Sequence, residues 1–167
     1  MSKKILVSLP VTDVKASVAF YESLGFTKNP NFPDEAAAWM VWSDHINFML
    51  LSHAKWQSMT TRPIPPATSS EVMLALSLDS RDAVDAMAAA AASNGGAADI
   101  NPVEDHEFMY ARDLADPDGH AVGAIGWTPP RCFRATRRTD GSDQPSSHIH
   151  PRHRRHQNGA GHEVQRG

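Results

Sequence analysis

Apolar and polar positions over residues 1–128 fall into two cycles, each reading strand, helix, strand, strand. KILVSLPV, Lys4 to Val11, is β-branched and apolar, the pattern of a buried strand. Asp13 then stands where a helix cap is wanted, and Val14, Val18, Tyr21 and Leu24 follow at helical spacing with Phe20 beside them. Gly25 stops that run. EAAAWMVWS and INFMLLS predict two strands joined at Ser43-Asp44-His45, with room for one short further strand.

Residues 52–70, SHAKWQSMTTRPIPPATSS, read as a connector holding a short helix, and three Pro within four positions forbid regular structure near 63–66. After it the cycle restarts. EVMLALSLD predicts a strand, Asp79 or Ser80 caps a helix from Arg81 to about Ser93, and Asn94-Gly95-Gly96 ends it. DINPVED, EFMYARDLA and GHAVGAIGW then offer three strands. Superimposing Asp13 on Asp79 brings Val18 onto Val84, and LPVTD answers LSLDS loosely. A repeated supersecondary unit is thus the most informative feature of the chain. The Ala run at 88–92 gives high helix propensity, a thin packing face and no chemistry.

Composition agrees with a globular body. Of 167 residues, 41% are hydrophobic and 21% charged, enough for a real core. No apolar run is long enough to span a bilayer, and Met1-Ser2-Lys3-Lys4 leads straight into ILVSL, so the expectation is a cytoplasmic protein with no membrane partner. Charge is divided unevenly. Residues 1–128 carry 8 Lys or Arg against 16 Asp or Glu, whereas residues 129–167 carry 8 Arg against 3 acids, with 5 of the 9 His. The acidic body argues against a nucleic-acid partner. The Arg/His/Pro/Ser/Gly mixture after it predicts a disordered tail, and the lone Cys132 excludes an internal disulfide or a Cys-rich zinc site. The expected organisation is a first module over 3–52, a connector over 53–70, a second module over 71–128 and the tail from 129.

Two motifs carry a resemblance. Val11 to Phe26 reads V-x-D-x-x-x-S-x-x-F-Y-x-x-L-G-F, and Phe108 to His120 reads F-M-Y-x-R-x-x-x-D-P-D-G-H. In the second, Pro117 fixes φ and Gly119 accepts a left-handed conformation, so the turn returns the chain beside FMYARDL. The chain resembles the vicinal oxygen chelate superfamily over about residues 3–128, a group that includes glyoxalase I, extradiol dioxygenases, fosfomycin-modifying enzymes and bleomycin-resistance proteins. The resemblance implies an α+β fold of two βαβββ modules forming a cup-shaped sheet, and a homodimer. In the enzymes of that group a divalent metal on the inner face acts as a Lewis acid on two adjacent substrate oxygens.

The metal positions that the resemblance implies fall near Ser8, Met49, Met73 and Gly123. Their neighbours Val7, Leu9, Leu50, Val72 and Leu74 cannot bind a hard cation either, and a catalytic divalent ion needs about three N or O ligands. His45 and His53 read as exposed, His106 as a loop residue and His120 as part of the turn. No G-x-S-x-G elbow or Gly-rich phosphate loop occurs. The inner positions offer Met40, Trp42 and Phe48, and above all Ser8, Trp39, Met49, Met73, Met109, Tyr110 and Arg112, a set suited to a small hydrophobic or planar molecule. The leading reading is a small-molecule binding protein of the bleomycin-resistance type that needs no cofactor. The alternative is a metal-dependent glyoxalase- or dioxygenase-like enzyme whose divalent metal sits at a non-standard site involving His106, His120 or Glu107. Polyanion binding through the tail rests on charge alone.

The closing W-x-D-P segment that the resemblance implies is absent. Codons for Gly126 to Phe133 with G or C in their free third positions can, read from their last bases, spell Val-Asp-Pro-Ala-Ala-Val-Leu, with the Asp forced by Trp127 and Thr128. No Lys follows Lys55, while Arg and Pro abound. The chain from about residue 125 is therefore expected to be a frameshifted reading, which sequencing of the encoding DNA tests.

Overall fold

Both cycles bury their apolar faces in one shared core. The computed structural model describes residues 3–66, 68–69 and 72–127; the expected tail and Cys132 lie outside them. In chain order the elements are β1 (Ile5–Val11), α1 (Val14–Ser23), β2 (Thr27–Lys28), β3 (Ala37–Val41), β4 (Ile46–Ser52), α2 (His53–Met59), β5 (Leu74–Leu78), α3 (Arg81–Ser93), β6 (Ala97–Ala98), β7 (Glu104–Asp105), β8 (Met109–Ala115) and β9 (Ala121–Trp127). None of the described helices is long and apolar enough to cross a membrane.

The strands make two sheets of one topology. The first runs β1-β4-β3-β2 with β1 parallel to β4; the second runs β5-β9-β8-β6 with β5 parallel to β9, and β7 pairs with β8 off that path. The expected α+β architecture of two related modules is what forms. The second strand expected in the second module differs from expectation. DINPVED does not pair throughout, because Asp99 takes a left-handed φ of 57° and Pro102 has no N–H to give a ladder. Between α3 and β8 only Ala97–Ala98 and Glu104–Asp105 pair, both with β8.

Helix caps set the true superposition of the modules. Asp13 accepts from Lys15 N and Ala16 N, and Ser80 accepts from Ala83 N, so Ser80 rather than Asp79 matches Asp13. Val84 therefore falls on Ser17, not on Val18. Ser17 tolerates its full burial because its hydroxyl donates to the Asp13 carbonyl at 2.9 Å.

The core lies under α1 and α3. Phe20, Tyr21, Met40, Phe48 and Leu50 of the first module meet Leu76, Val84, Ala88, Leu114 and Val122 of the second. Tyr21 makes edge-on contacts with Phe20, Phe26 and Phe48, with ring centroids 5.2, 5.3 and 5.6 Å apart. A polar latch holds the modules together beside this cluster. Tyr21 Oη donates to Asp116 Oδ2 at 2.9 Å, and Asp116 Oδ1 accepts from Asp118 N and His120 N at 3.0 and 2.8 Å. Asp118 Oδ1 takes the Thr12 N–H and hydroxyl at 2.9 and 2.5 Å, while His120 Nε2 donates to the Pro10 carbonyl at 2.7 Å. Gly119, at φ 90°, closes the turn that presents these groups, as its sequence predicts.

Candidate functional site

Strand alternation decides which side chains the open face receives. In β1, Val7, Leu9 and Val11 point to the core, so Leu6, Ser8 and Pro10 take the opposite face. Ser8 stands beside Met49, and Met49 beside Trp39, so three of the expected lining residues form one row across the first sheet. Trp39 Nε1 donates to Asn47 Oδ1 at 3.0 Å, which fixes the indole on that face.

The matching row of the second sheet is Ala75, Gly123 and Asp113. Counting back from the caps Asp13 and Ser80 places Ala75 on Ser8, so the position expected at Met73 lies two residues later. Met73 itself precedes β5 and is 54% exposed. Space at Gly123 is already taken, because a Cβ there would meet Asp113 Oδ1 at 3.0 Å. Asn101 Nδ2 holds that carboxylate at 2.8 Å. The four inner positions thus hold one hydroxyl, one thioether, a methyl group and a hydrogen. This set does not fit a hard divalent ion, and among the described residues no group of three or more His, Cys, Asp or Glu converges. His106 and His120 do not supply a substitute. His106 stacks on Phe108 at 5.7 Å with its Nε2 3.9 Å from Glu104, while His120 is committed to the latch.

Several expected lining residues lie elsewhere. Tyr110 and Arg112 face α3: Tyr110 Oη donates to Asp85 at 2.8 Å, and Arg112 donates to Asp85 at 3.0 Å and to Asp99 at 2.8 and 2.6 Å. These bonds hold the Asp85 and Asp99 carboxyls below their usual range, and Asp99 raises Arg112. Arg81 covers the Tyr110 ring at 4.5 Å and pairs with Asp105. The pair is a clamp between β8 and α3. Met40, Phe48 and Trp42 belong to the core or pack against it, with Phe26 centroids 4.9 Å from Phe48 and 5.0 Å from Trp42. Met109 takes the face opposite Tyr110, paired with Trp127 at the far end of β8.

A cleft of about 350 Å³ opens where α2 and the connector pack over the first sheet. Ser8 and Leu51 come from the sheet, Trp56 and Met59 from α2, and Thr60, Arg62, Pro63 and Pro65 from the connector. A smaller hollow of about 80 Å³ between β1 and β5 shares Ser8 and Trp56 and reaches Leu74 and His120. Trp56 Nε1 and the Asn47 amide nitrogen are buried and have no hydrogen-bond partner among the described residues. Sequence reading found Ser8 but missed Trp56 and Met59. Their signal was two large apolar residues three apart on a short helix inside a connector, which periodicity over so few residues does not orient.

The model of the family described as Glyoxalase/Bleomycin resistance protein/Dioxygenase superfamily matches residues 5–123. No curated protein matches the chain significantly. Among solved structures, a hypothetical protein from S. aureus matches with a TM-score of 0.64 at 23% identity, covering 75% of this chain and 95% of that one. A family enzyme from Burkholderia phytofirmans PsJN gives 0.64 at 16% identity, with 76% and 100% covered. An antibiotic binding protein from Streptomyces sp. CB03234 gives 0.52 at 24% identity, with 77% and 98% covered. At these identities the likeness is one of fold.

Proposed function

This chain belongs to the Glyoxalase/Bleomycin resistance protein/Dioxygenase superfamily, and from that membership we propose that it is a metal-free module binding a small hydrophobic or planar molecule, acting as a cytoplasmic homodimer. The observation that carries the reading is a donor-poor row beside an apolar cleft. Ser8, Met49, Ala75 and Gly123 offer no ligand set for a cation, while Ser8 also lines a space of about 350 Å³ walled by Leu51, Trp56, Met59 and two prolines. That volume suits a small aromatic body, and the Trp56 ring gives it a flat surface to lie against. A Streptomyces protein of the same fold is an antibiotic binding protein, which supports a small-molecule role.

The test compares ions with a neutral aromatic probe on the untagged full chain. After dialysis, Fe, Mn, Ni and Zn are each expected to leave the melting temperature unchanged, whereas N-phenylnaphthylamine binds saturably and raises it. A stoichiometric ion that survives dialysis and stabilises the fold would overturn the metal-free reading. Loose binding by the His-containing tail would not raise the melting temperature of the domain.

A further inference from the structure

Resting on that cleft reading, we propose that the occupant carries an anionic group on its apolar body, and that Arg62 selects it. The occupant's chemical class is then an aromatic or aliphatic carboxylate or sulfonate rather than a neutral hydrophobe.

Charge around the cleft is lopsided. Of the three arginines before the tail, Arg81 pairs with Asp105 and Arg112 with Asp85 and Asp99. Lys55, on the helix that walls the cleft, pairs with Asp34 at 3.2 Å. Among the described residues no carboxylate lies within 4.0 Å of the Arg62 guanidinium, although Arg62 lines the cleft and residues 1–128 hold 16 acids against 8 bases. So acidic a body repels anions in general, which makes a cation that no described acid pairs, in an otherwise uncharged wall, a local attractor.

The backbone beneath Arg62 is also set in place. Its N–H donates to Thr60 Oγ1 at 3.1 Å, and Pro63 immediately after it restricts its backbone. A guanidinium so placed meets a carboxylate or sulfonate through two parallel hydrogen bonds, while the body of the ligand lies along Met59, Leu51 and Trp56.

Two probes that share one aromatic body separate this proposal from the one it rests on. Anilinonaphthalene sulfonate carries the anion; N-phenylnaphthylamine does not. Fluorescence titration of the full chain is expected to show the sulfonate bound about tenfold more tightly or better, as a charge-assisted contact provides. Arg62→Gln should bring the two affinities together chiefly by weakening that of the sulfonate, Arg62→Lys should keep part of the preference, and added salt should narrow it. An unchanged ratio in Arg62→Gln, or no preference in the natural chain, would overturn the role of Arg62 while leaving the cleft intact. Failure of the folded chain to bind either probe would overturn the cleft reading and this inference with it.

Discussion

Asp116 is 3% exposed, and burial pushes its carboxyl above the usual range despite the hydrogen bonds it accepts from Tyr21, Asp118 and His120. The native state therefore holds the Asp116 proton more tightly than the unfolded chain. Native stability from this group is greatest in acid and falls as pH climbs from the ordinary carboxylate value through the raised one. Burial and the neighbouring Asp116 also push the Tyr21 hydroxyl well up, so it stays protonated and donating. Asparagine at this position cannot titrate. The melting temperature of Asp116→Asn, taken relative to the natural chain, is expected to rise as pH goes from 4 to 8, on the order of the carboxylate window. Parallel profiles would show that Asp116 titrates as it does unfolded. The clamp acids Asp85 and Asp99 have lowered values and work in the opposite sense, with their contribution lost as pH falls.

At the scale of elements, α3 and β8 close on α1 at Gly96. A Cβ there would come within 2.4 Å of both the Ala115 carbonyl and Phe20 Cε2. One of these is backbone and the other a fully buried ring, so neither has room to give. Gly96→Ala should cost about 2 kcal/mol or more by overpacking, read as a drop of several degrees in a thermal melt. A neutral melt would mean that the two modules part easily at this point. The elements themselves were largely legible, because strands such as Ile46–Ser52 and helices such as Val14–Ser23 announce themselves by period and cap. What escaped were relations across elements. Ala75 replaced Met73 because register is set by pairing with β9, which one strand's own pattern does not contain. Tyr110 and Arg112 were read as inner positions because alternation gives two faces without saying which one α3 covers. The cleft wall was hidden for the same reason, since a seven-residue helix in a connector does not declare what it packs on.

For the whole molecule, the repeat exposes the same apolar pair twice. Ile5 and Leu6, 62% and 49% exposed, correspond to Val72 and Met73, each 54% exposed, when Ser8 is laid on Ala75. β1 and β5 are also the edge strands of their sheets, where unpaired backbone invites a partner. The chain is therefore expected to run as a dimer in light scattering at micromolar concentration, and Leu6→Asp with Met73→Asp to run as a folded monomer. A wild-type monomer under those conditions would remove the homodimer from the proposed function. The latch has a further bearing, on the ribosome. Its bonds between the modules join residues 95 to 110 positions apart, Tyr21 to Asp116 and Pro10 to His120. While the second module is still being made, Phe20 and Tyr21 have no Leu114 or Val122 to cover them. The first module must wait in a half-finished state for its last contacts, so slow translation through residues 97–120 lengthens the time in which nascent chains can stick to one another.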